Sequence, residues 1–372
     1  MTSEKPSILI VTGIYPPEIG GPATYSKLLA DELPKRGYQV QILPFRVVKH
    51  LPKIIRHIVF IWKIIQAGKK VDIIYAQDPV SVGLPTRLAC FFLGRSYLLR
   101  LGGDYAWEQG VSRFGVKDPL DIFVTQNIYG WSVWLFKKIQ THVARNAERV
   151  IVPSEYLKRI VIQWGVPASL ITVIYSAFEA PNLSDTQEDL RSIYNLSHPT
   201  IVSVGRLVPW KGFRVLIECM SEIKSLFPGA KLLIIGEGPE YHNLQQKIIE
   251  LNLEDSVLLL GSLPKNRLFG LIKASDVFVL NTSYEGLSHQ LLEVLSLGVP
   301  VVTTNVGGNL ELIRHMISGV LVTPDDKVAL VEALSQILTD PSLRQSLVAG
   351  GYQELEKFSA ETALDILVKI LL

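Results

Sequence analysis

Twelve short runs rich in Val, Ile and Leu, each followed by a stretch of helical spacing, leave this chain little choice but parallel sheets covered by helices. Strands buried on both faces read as continuous apolar runs, which is the pattern here. Six runs, at 7–12, 39–44, 72–76, 97–101, 149–152 and 170–174, precede a polar, irregular stretch at 176–198 around Pro181. Six more follow at 200–204, 231–235, 257–260, 277–280, 300–303 and 320–322. Helical patterns at 328–338 and 361–372 close the chain. With 372 residues, more than one hydrophobic core is expected. The expected fold class is α/β, with two Rossmann-like doubly wound domains at 1–178 and 199–355, a linker at 179–198, and a terminal segment at 356–372 packing back on the first domain.

Composition removes several classes. A 48% hydrophobic and 19% charged content excludes a disordered chain. The polar start at 1–6 carries no signal-peptide pattern. The apolar run 54–65 is broken by Arg56, His57 and Lys63, short of the roughly 20 residues that a membrane-spanning helix needs. Cys90 and Cys219 both lie in apolar helical stretches, so a reducing cytoplasm fits and a disulfide framework does not.

Charge is divided unevenly. Residues 1–180 hold 22 Lys and Arg against 13 Asp and Glu, a net +9, and residues 181–372 hold 15 against 22, a net −7. Seven of those cations fall between Arg46 and Lys70 without an acid among them. Lys49, Lys53, Arg56 and Lys63 recur at helical spacing opposite Leu51, Ile54, Ile55, Ile58, Ile61, Trp62 and Ile65. The stripe can pack on its own sheet while the lysines meet anionic lipid headgroups, so a peripheral membrane surface is an expected partner. Nucleic acid is not, since the basic stretch is lined with aliphatics rather than stacking aromatics.

Four loops carry chemistry. After the first strand, Gly20 and Gly21 remove side chains that would block a backbone approach, and Pro22 suits a first helical turn. A glycine pair alone marks only a turn, and G-x-G-x-x-G spacing is absent. Arg206 and Lys211 place two cations just past the strand 200–204, where open α/β sheets bind ligands. Gly236 and Gly238 make a tight strand-to-helix turn after the next strand. Glu285 and Glu293 flank a helix expected to start near Ser288; eight residues separate their Cα atoms by ~12 Å along its axis. That span suits a ligand as long as a nucleoside diphosphate sugar, with the free N–H groups of the helix start facing a diphosphate. No metal-ligand motif is present, and no metal or cofactor is expected.

With those residues assembled, nearly the whole chain resembles the retaining glycosyltransferases of family 4, which use two facing Rossmann-like domains (GT-B architecture) with a cleft between them. The likeness rests on Gly20-Gly21, Gly205-Arg206 with Lys211-Gly212, Gly261-Ser-Leu-Pro264, and Tyr284-Glu285-Gly286 through Glu293 to Pro300. It implies that Arg206 and Lys211 hold the donor diphosphate, Glu293 the ribose and Glu285 the transferred sugar. Backbone near Leu263 would read the base, and backbone of Leu287, Ser288 and His289 would meet the phosphates. Two departures stand out. Leu287-Ser288-His289 replaces the family's Phe-Gly and apolar residue, and Arg100-Leu-Gly102-Gly103-Asp104 replaces a common histidine. Asp104 is therefore a candidate for touching the sugar or acceptor, or else a helix cap after two glycines.

The expected reaction is transfer of a hexose from a nucleoside diphosphate to a hydroxyl of a glycan or lipid-linked acceptor, in surface polysaccharide or glycolipid biosynthesis. A nucleotide-sugar epimerase of the same fold would share the diphosphate site but need no acceptor. A non-catalytic nucleotide-sugar or lipid-binding subunit would not need all of Arg206, Lys211, Glu285 and Glu293.

Overall fold

The computed structural model describes residues 5–18, 20–176 and 180–371, with the side chains of Lys53 and Ile54 outside the described set. The chain forms two compact units, residues 1–177 with 361–372, and residues 178–360.

In the first unit, strands β1 (Ser7–Thr12), β2 (Gln39–Pro44), β3 (Ile73–Ala76), β4 (Leu98–Arg100), β5 (Arg149–Val152) and β6 (Ile171–Val173) form one parallel sheet in the order β2-β1-β3-β4-β5-β6. Ile8 to Val11 of β1 are wholly buried, as a central strand covered on both faces must be. The carboxylate of Asp72 accepts the Ser7 amide at 2.8 Å and the Ser7 hydroxyl at 2.7 Å, tying the start of β1 to the start of β3. Helices α1 (Gly21–Glu32), α2 (Lys53–Gly68), α3 (Gly83–Leu93), α4 (Tyr105–Arg113), α5 (Leu120–Thr125), α6 (Trp131–Arg145) and α7 (Glu155–Gln163) make its connections.

In the second unit, β7 (Thr200–Val204), β8 (Lys231–Ile235), β9 (Val257–Leu259), β10 (Val277–Leu280), β11 (Val301–Thr304) and β12 (Val320–Val322) are again parallel, ordered β9-β8-β7-β10-β11-β12. This is the doubly wound nucleotide-binding order, and its direction reverses between β7 and β10. Helices α8 (Gln187–Ile193), α9 (Phe213–Leu226), α10 (Tyr241–Glu250), α11 (Lys265–Ala274), α12 (His289–Ser296), α13 (Asn309–Leu312), α14 (Lys327–Thr339) and α15 (Pro341–Leu355) complete it. The last helix, α16 (Ala360–Leu371), belongs to the first unit, burying Leu364 and Leu367 and pairing Asp365 with Arg36.

All twelve apolar runs are strands. Two segments differ from the sequence reading. The stretch read as an irregular linker contains α8, whose start is a capping box between Thr186 and Asp189. Arg191 of that helix pairs with Asp276 at 2.9 Å, which makes it part of the second unit. Helix α15 escapes a reading of periodicity because Gly350 and Gly351 look like a turn. Both are close-approach positions: a Cβ on Gly350 would lie 1.9 Å from the Ile317 carbonyl oxygen, and one on Gly351 would lie 2.8 Å from a Leu295 methyl. Gly350→Ala is accordingly expected to destabilise the second unit by about 1–3 kcal/mol, the usual cost of overpacking. Urea denaturation followed by circular dichroism measures it, and a midpoint equal to wild type would show that α15 yields without strain.

Candidate active site

Where a doubly wound sheet reverses direction, the two connecting loops leave on opposite faces and open a crevice at the strand C-termini. In the second unit those loops follow β7 and β10, and they carry Lys211 and Glu285. The Lys211 ammonium donates to the Glu285 carboxylate at 2.6 Å, with side chains only 12% and 18% exposed. The sequence reading assigned these residues to opposite parts of one ligand; the structure joins them to each other. Each satisfies the other's charge in a poorly hydrated place, where a lone charge would be costly.

Backbone contacts fix the two loops together. The Trp210 carbonyl accepts the Ser283 amide at 2.8 Å and the Thr282 hydroxyl at 3.0 Å. Gly212 has φ +61°, and a Cβ there would lie 2.0 Å from the Asn281 carbonyl oxygen, so no other residue fits without moving the β10 loop. Asn281 donates to the Gly212 carbonyl at 3.1 Å, and the Gly308 amide donates to the Glu285 carbonyl at 2.9 Å. Asn281, Thr282 and Gly308 are absent from the sequence-derived site. Their work is backbone positioning, and only the strand-end location of Asn281 and Thr282 and the Gly307-Gly308 pair before a helix hinted at it.

Gly236 and Gly238 stand against the same loop from the other side. A Cβ on Gly236 would meet the Gly205 carbonyl oxygen at 1.9 Å, and one on Gly238 would meet that of Leu207 at 2.3 Å. The Gly236 amide donates to Gly261 and the Leu207 amide to Glu237, so the loops after β7, β8 and β9 are laced through their backbones. These glycines thus shape the loop that bears Arg206, whose side chain is exposed.

Helix α12 begins at His289 with Ser288 as its cap, the Ser288 hydroxyl accepting the Leu291 amide at 3.4 Å. Leu287 and Ser288 are buried, which presents this first turn through its backbone. Glu293 lies on the same helix, and among the described residues no donor reaches its carboxylate. Burial pushes this carboxyl up from 4.5 to about 7, offset in part by Lys265, two residues beyond Leu263. Glu293 is half-buried, so its carboxylate is partly shielded from water without a protein donor to compensate.

The first unit gives a different account of its candidates. Gly20 caps α1 at φ +151° and Gly21 opens the helix, with a Cβ on Gly20 only 2.9 Å from an Ile14 methyl. Asp104 is wholly buried and caps α4, its Oδ1 accepting the Trp107 amide at 2.9 Å and the Gln140 amide group at 3.0 Å. Burial holds its carboxyl above the ordinary aspartate value. Of the two roles offered by the sequence, helix cap or contact with sugar or acceptor, the geometry shows the cap. Arg100 is also buried, its guanidinium 3.6 Å from the Tyr25 ring centroid.

The basic helix needs two corrections as well. Lys49 precedes α2 and is paired with Glu18. The side that α2 buries is that of Phe60 and Ile64, while Ile55, Ile58 and Trp62 of the expected core stripe point to solvent. Lys53 and Ile54 of the same pattern have side chains outside the described residues.

Two doubly wound α/β units in succession are the build of the GT-B class. Residues 19–179 match the family model described as Glycosyltransferase Family 4, and residues 186–354 match that of Glycosyl transferases group 1. The two matches together span most of the chain, which is a glycosyltransferase of GT-B type. It is 25% identical over 95% of its length to the GDP-mannose-dependent phosphatidylinositol monomannoside mannosyltransferase of Mycolicibacterium smegmatis, of which 95% is covered. It is 32% identical over 44% of its length to the lipopolysaccharide core glycosyltransferase LpsD of Rhizobium meliloti, spanning about half (46%) of that protein. Among solved structures, Anabaena HepE in complex with UDP-glucose superposes with a TM-score of 0.78 at 20% identity, covering 98% of this chain and 99% of that one.

The Glu293 carboxyl has a defined pH signature. Its folded-state value lies above 4.5, so its penalty on stability is absent below about pH 4.5, grows as pH rises, and is complete above about pH 7. Glu293→Gln is expected to melt at a higher temperature than wild type near pH 8, with the gap closing toward pH 5. A pH-independent gap in scanning calorimetry would show that the carboxylate is hydrated.

Proposed function

We propose that this protein transfers a hexose from a nucleoside diphosphate sugar to a hydroxyl of a lipid-linked or glycan acceptor, with retention of the anomeric configuration, in surface polysaccharide or glycolipid biosynthesis. The observation that carries the reading is the Lys211–Glu285 pair at the β7/β10 reversal, on the same strand-end side as the unbonded Glu293. An arriving diphosphate competes for the Lys211 ammonium, and the freed Glu285 carboxylate accepts hydroxyls of the sugar. Arg206 and the first turn of α12 add positive potential for the phosphates. Glu293 accepts a ribose hydroxyl, and backbone near Leu263 meets the base.

Catalysis in this reading is leaving-group stabilisation and positioning. The bond from the anomeric carbon to the phosphate oxygen breaks as the acceptor oxygen bonds that carbon on the same face. The acceptor proton passes to the departing phosphate. Lysine, arginine and helix N-termini take the developing charge, without a metal ion or other cofactor. The activities of the relatives, a phosphatidylinositol monomannoside mannosyltransferase and a lipopolysaccharide core glycosyltransferase, support a lipid-linked acceptor. So does the net +9 of residues 1–180, which favours an anionic membrane surface. No helix among the described residues is long and apolar enough to cross a membrane. A cytoplasmic enzyme peripheral to the inner membrane face is thus the proposed setting.

Lys211→Ala and Glu285→Ala are each expected to lower turnover by about 10²-fold or more, the scale for losing one group that stabilises developing charge. Labelled sugar from the donor, recovered on an acceptor with its anomeric configuration assigned by NMR, provides the measurement. Near-wild-type transfer by either variant would remove the assigned roles. In a separate thermal-shift screen against UDP-, GDP-, ADP- and dTDP-sugars, one nucleotide class is expected to raise the midpoint of wild type and not of Glu293→Gln. A shift that survives in Glu293→Gln would take the ribose role from that residue.

A further inference from the structure

The outward face of α2 is apolar. Ile55, Ile58 and Trp62 lie one turn apart along it, and Trp62 is 58% exposed. Beside it, α3 exposes Phe91 and Phe92, the latter 71%. The two helices pack together: Ile61 and Leu88 share a pocket near their middles, and a Cβ on Gly68 would touch a Leu93 methyl at their C-terminal ends. Exposed aromatic and aliphatic groups clustered on adjoining helices mark a surface that meets another apolar phase. Arg56 and Lys63 lie on α2 itself, within a stretch from Arg46 to Lys70 that holds seven Lys and Arg and no acid, of which Lys49 is paired with Glu18. An apolar face in a basic field is complementary to an anionic bilayer.

Between these helices opens a pocket of about 340 Å³. Phe45, Ile61, Leu84, Leu88 and Phe136 line it, with Arg56 and His57 beside them. Arg56 forms no ion pair among the described residues, and its buried Nε has no hydrogen-bond partner there. An apolar hole beside a guanidinium that has the Phe45 ring, 5.6 Å away, but no anion for a partner asks for a ligand with a hydrocarbon part and an anionic part. We propose that this pocket binds a hydrocarbon chain of an anionic phospho-lipid, with Trp62, Phe91 and Phe92 set into the bilayer around its mouth and Arg56 facing the phosphate. On the reading above that the acceptor is lipid-linked, which this assignment extends, that lipid is the acceptor.

Inorganic phosphate and octyl, decyl and dodecyl phosphate, each below its micelle-forming concentration, test the pocket by titration calorimetry on the whole chain. Each added methylene is expected to tighten binding roughly fourfold until the pocket is full. Leu88→Trp, which places an indole at the rim, is expected to flatten the series. Arg56→Gln is expected to weaken every alkyl phosphate while keeping the slope. Both variants are checked for folding by circular dichroism and by the donor-induced thermal shift. Equal affinity for all four phosphates, or an unchanged series in Leu88→Trp, would overturn the proposal. Incorporation of labelled sugar into organic-extractable lipid is read in parallel. Lipid product formed equally well by wild type and Leu88→Trp would overturn the pocket while leaving the lipid acceptor in place. Chain-length-dependent binding with sugar entering only water-soluble product would support the pocket and remove the lipid acceptor.

Discussion

The reversal of strand order between β7 and β10 is the constraint on which the second unit's chemistry depends. Connections on one side of β7 must leave by one face of the sheet and those on the other side by the opposite face. The loops that follow β7 and β10 therefore separate above neighbouring strand ends, and the side chains they carry face one another. Lys211 and Glu285 are 74 residues apart in sequence and 2.6 Å apart in space for this reason. Their ion pair does not hold the fold together, since buried pairs gain little over apolar contacts. It keeps two opposite charges matched in a place that water reaches poorly.

Close backbone approach is the second requirement, and glycine meets it. Gly212, Gly236, Gly238 and Gly308 each lie where a Cβ would come within about 2.3 Å of a neighbouring carbonyl oxygen. The loops after β7, β8, β10 and β11 are thereby pressed together, with amide-to-carbonyl bonds between them. Glu293 owes its raised carboxyl value to the same compactness, because burial without a donor penalises its charged form.

The first unit uses its surface differently. Its sheet is as well buried as that of the second, yet α2 and α3 turn large apolar groups outward beside an acid-free basic stretch. A helix with apolar residues on two sides satisfies its own core with one side only. Phe60 and Ile64 are buried, and Ile55, Ile58 and Trp62 remain exposed.

Sequence alone determined the α/β class and the place of all twelve strands, because continuous Val, Ile and Leu runs can be satisfied only by burial on both faces. It also located Lys211, Glu285, Ser288 and Glu293 at strand ends and a helix start, since loop and cap chemistry are local. What only the tertiary structure decided is non-local. Helix α15 is invisible to periodicity because its glycines answer to Ile317 and Leu295 rather than to a turn. Helix α8 has a single buried anchor, Leu190, and so lacks a stripe to read. Asp104 caps α4 through the nearby Trp107 amide, but that it also holds Gln140, 36 residues away, is a tertiary contact. The side of α2 that faces the core depends on sheet neighbours, because an apolar pattern tells which residues avoid water but not which partner covers them.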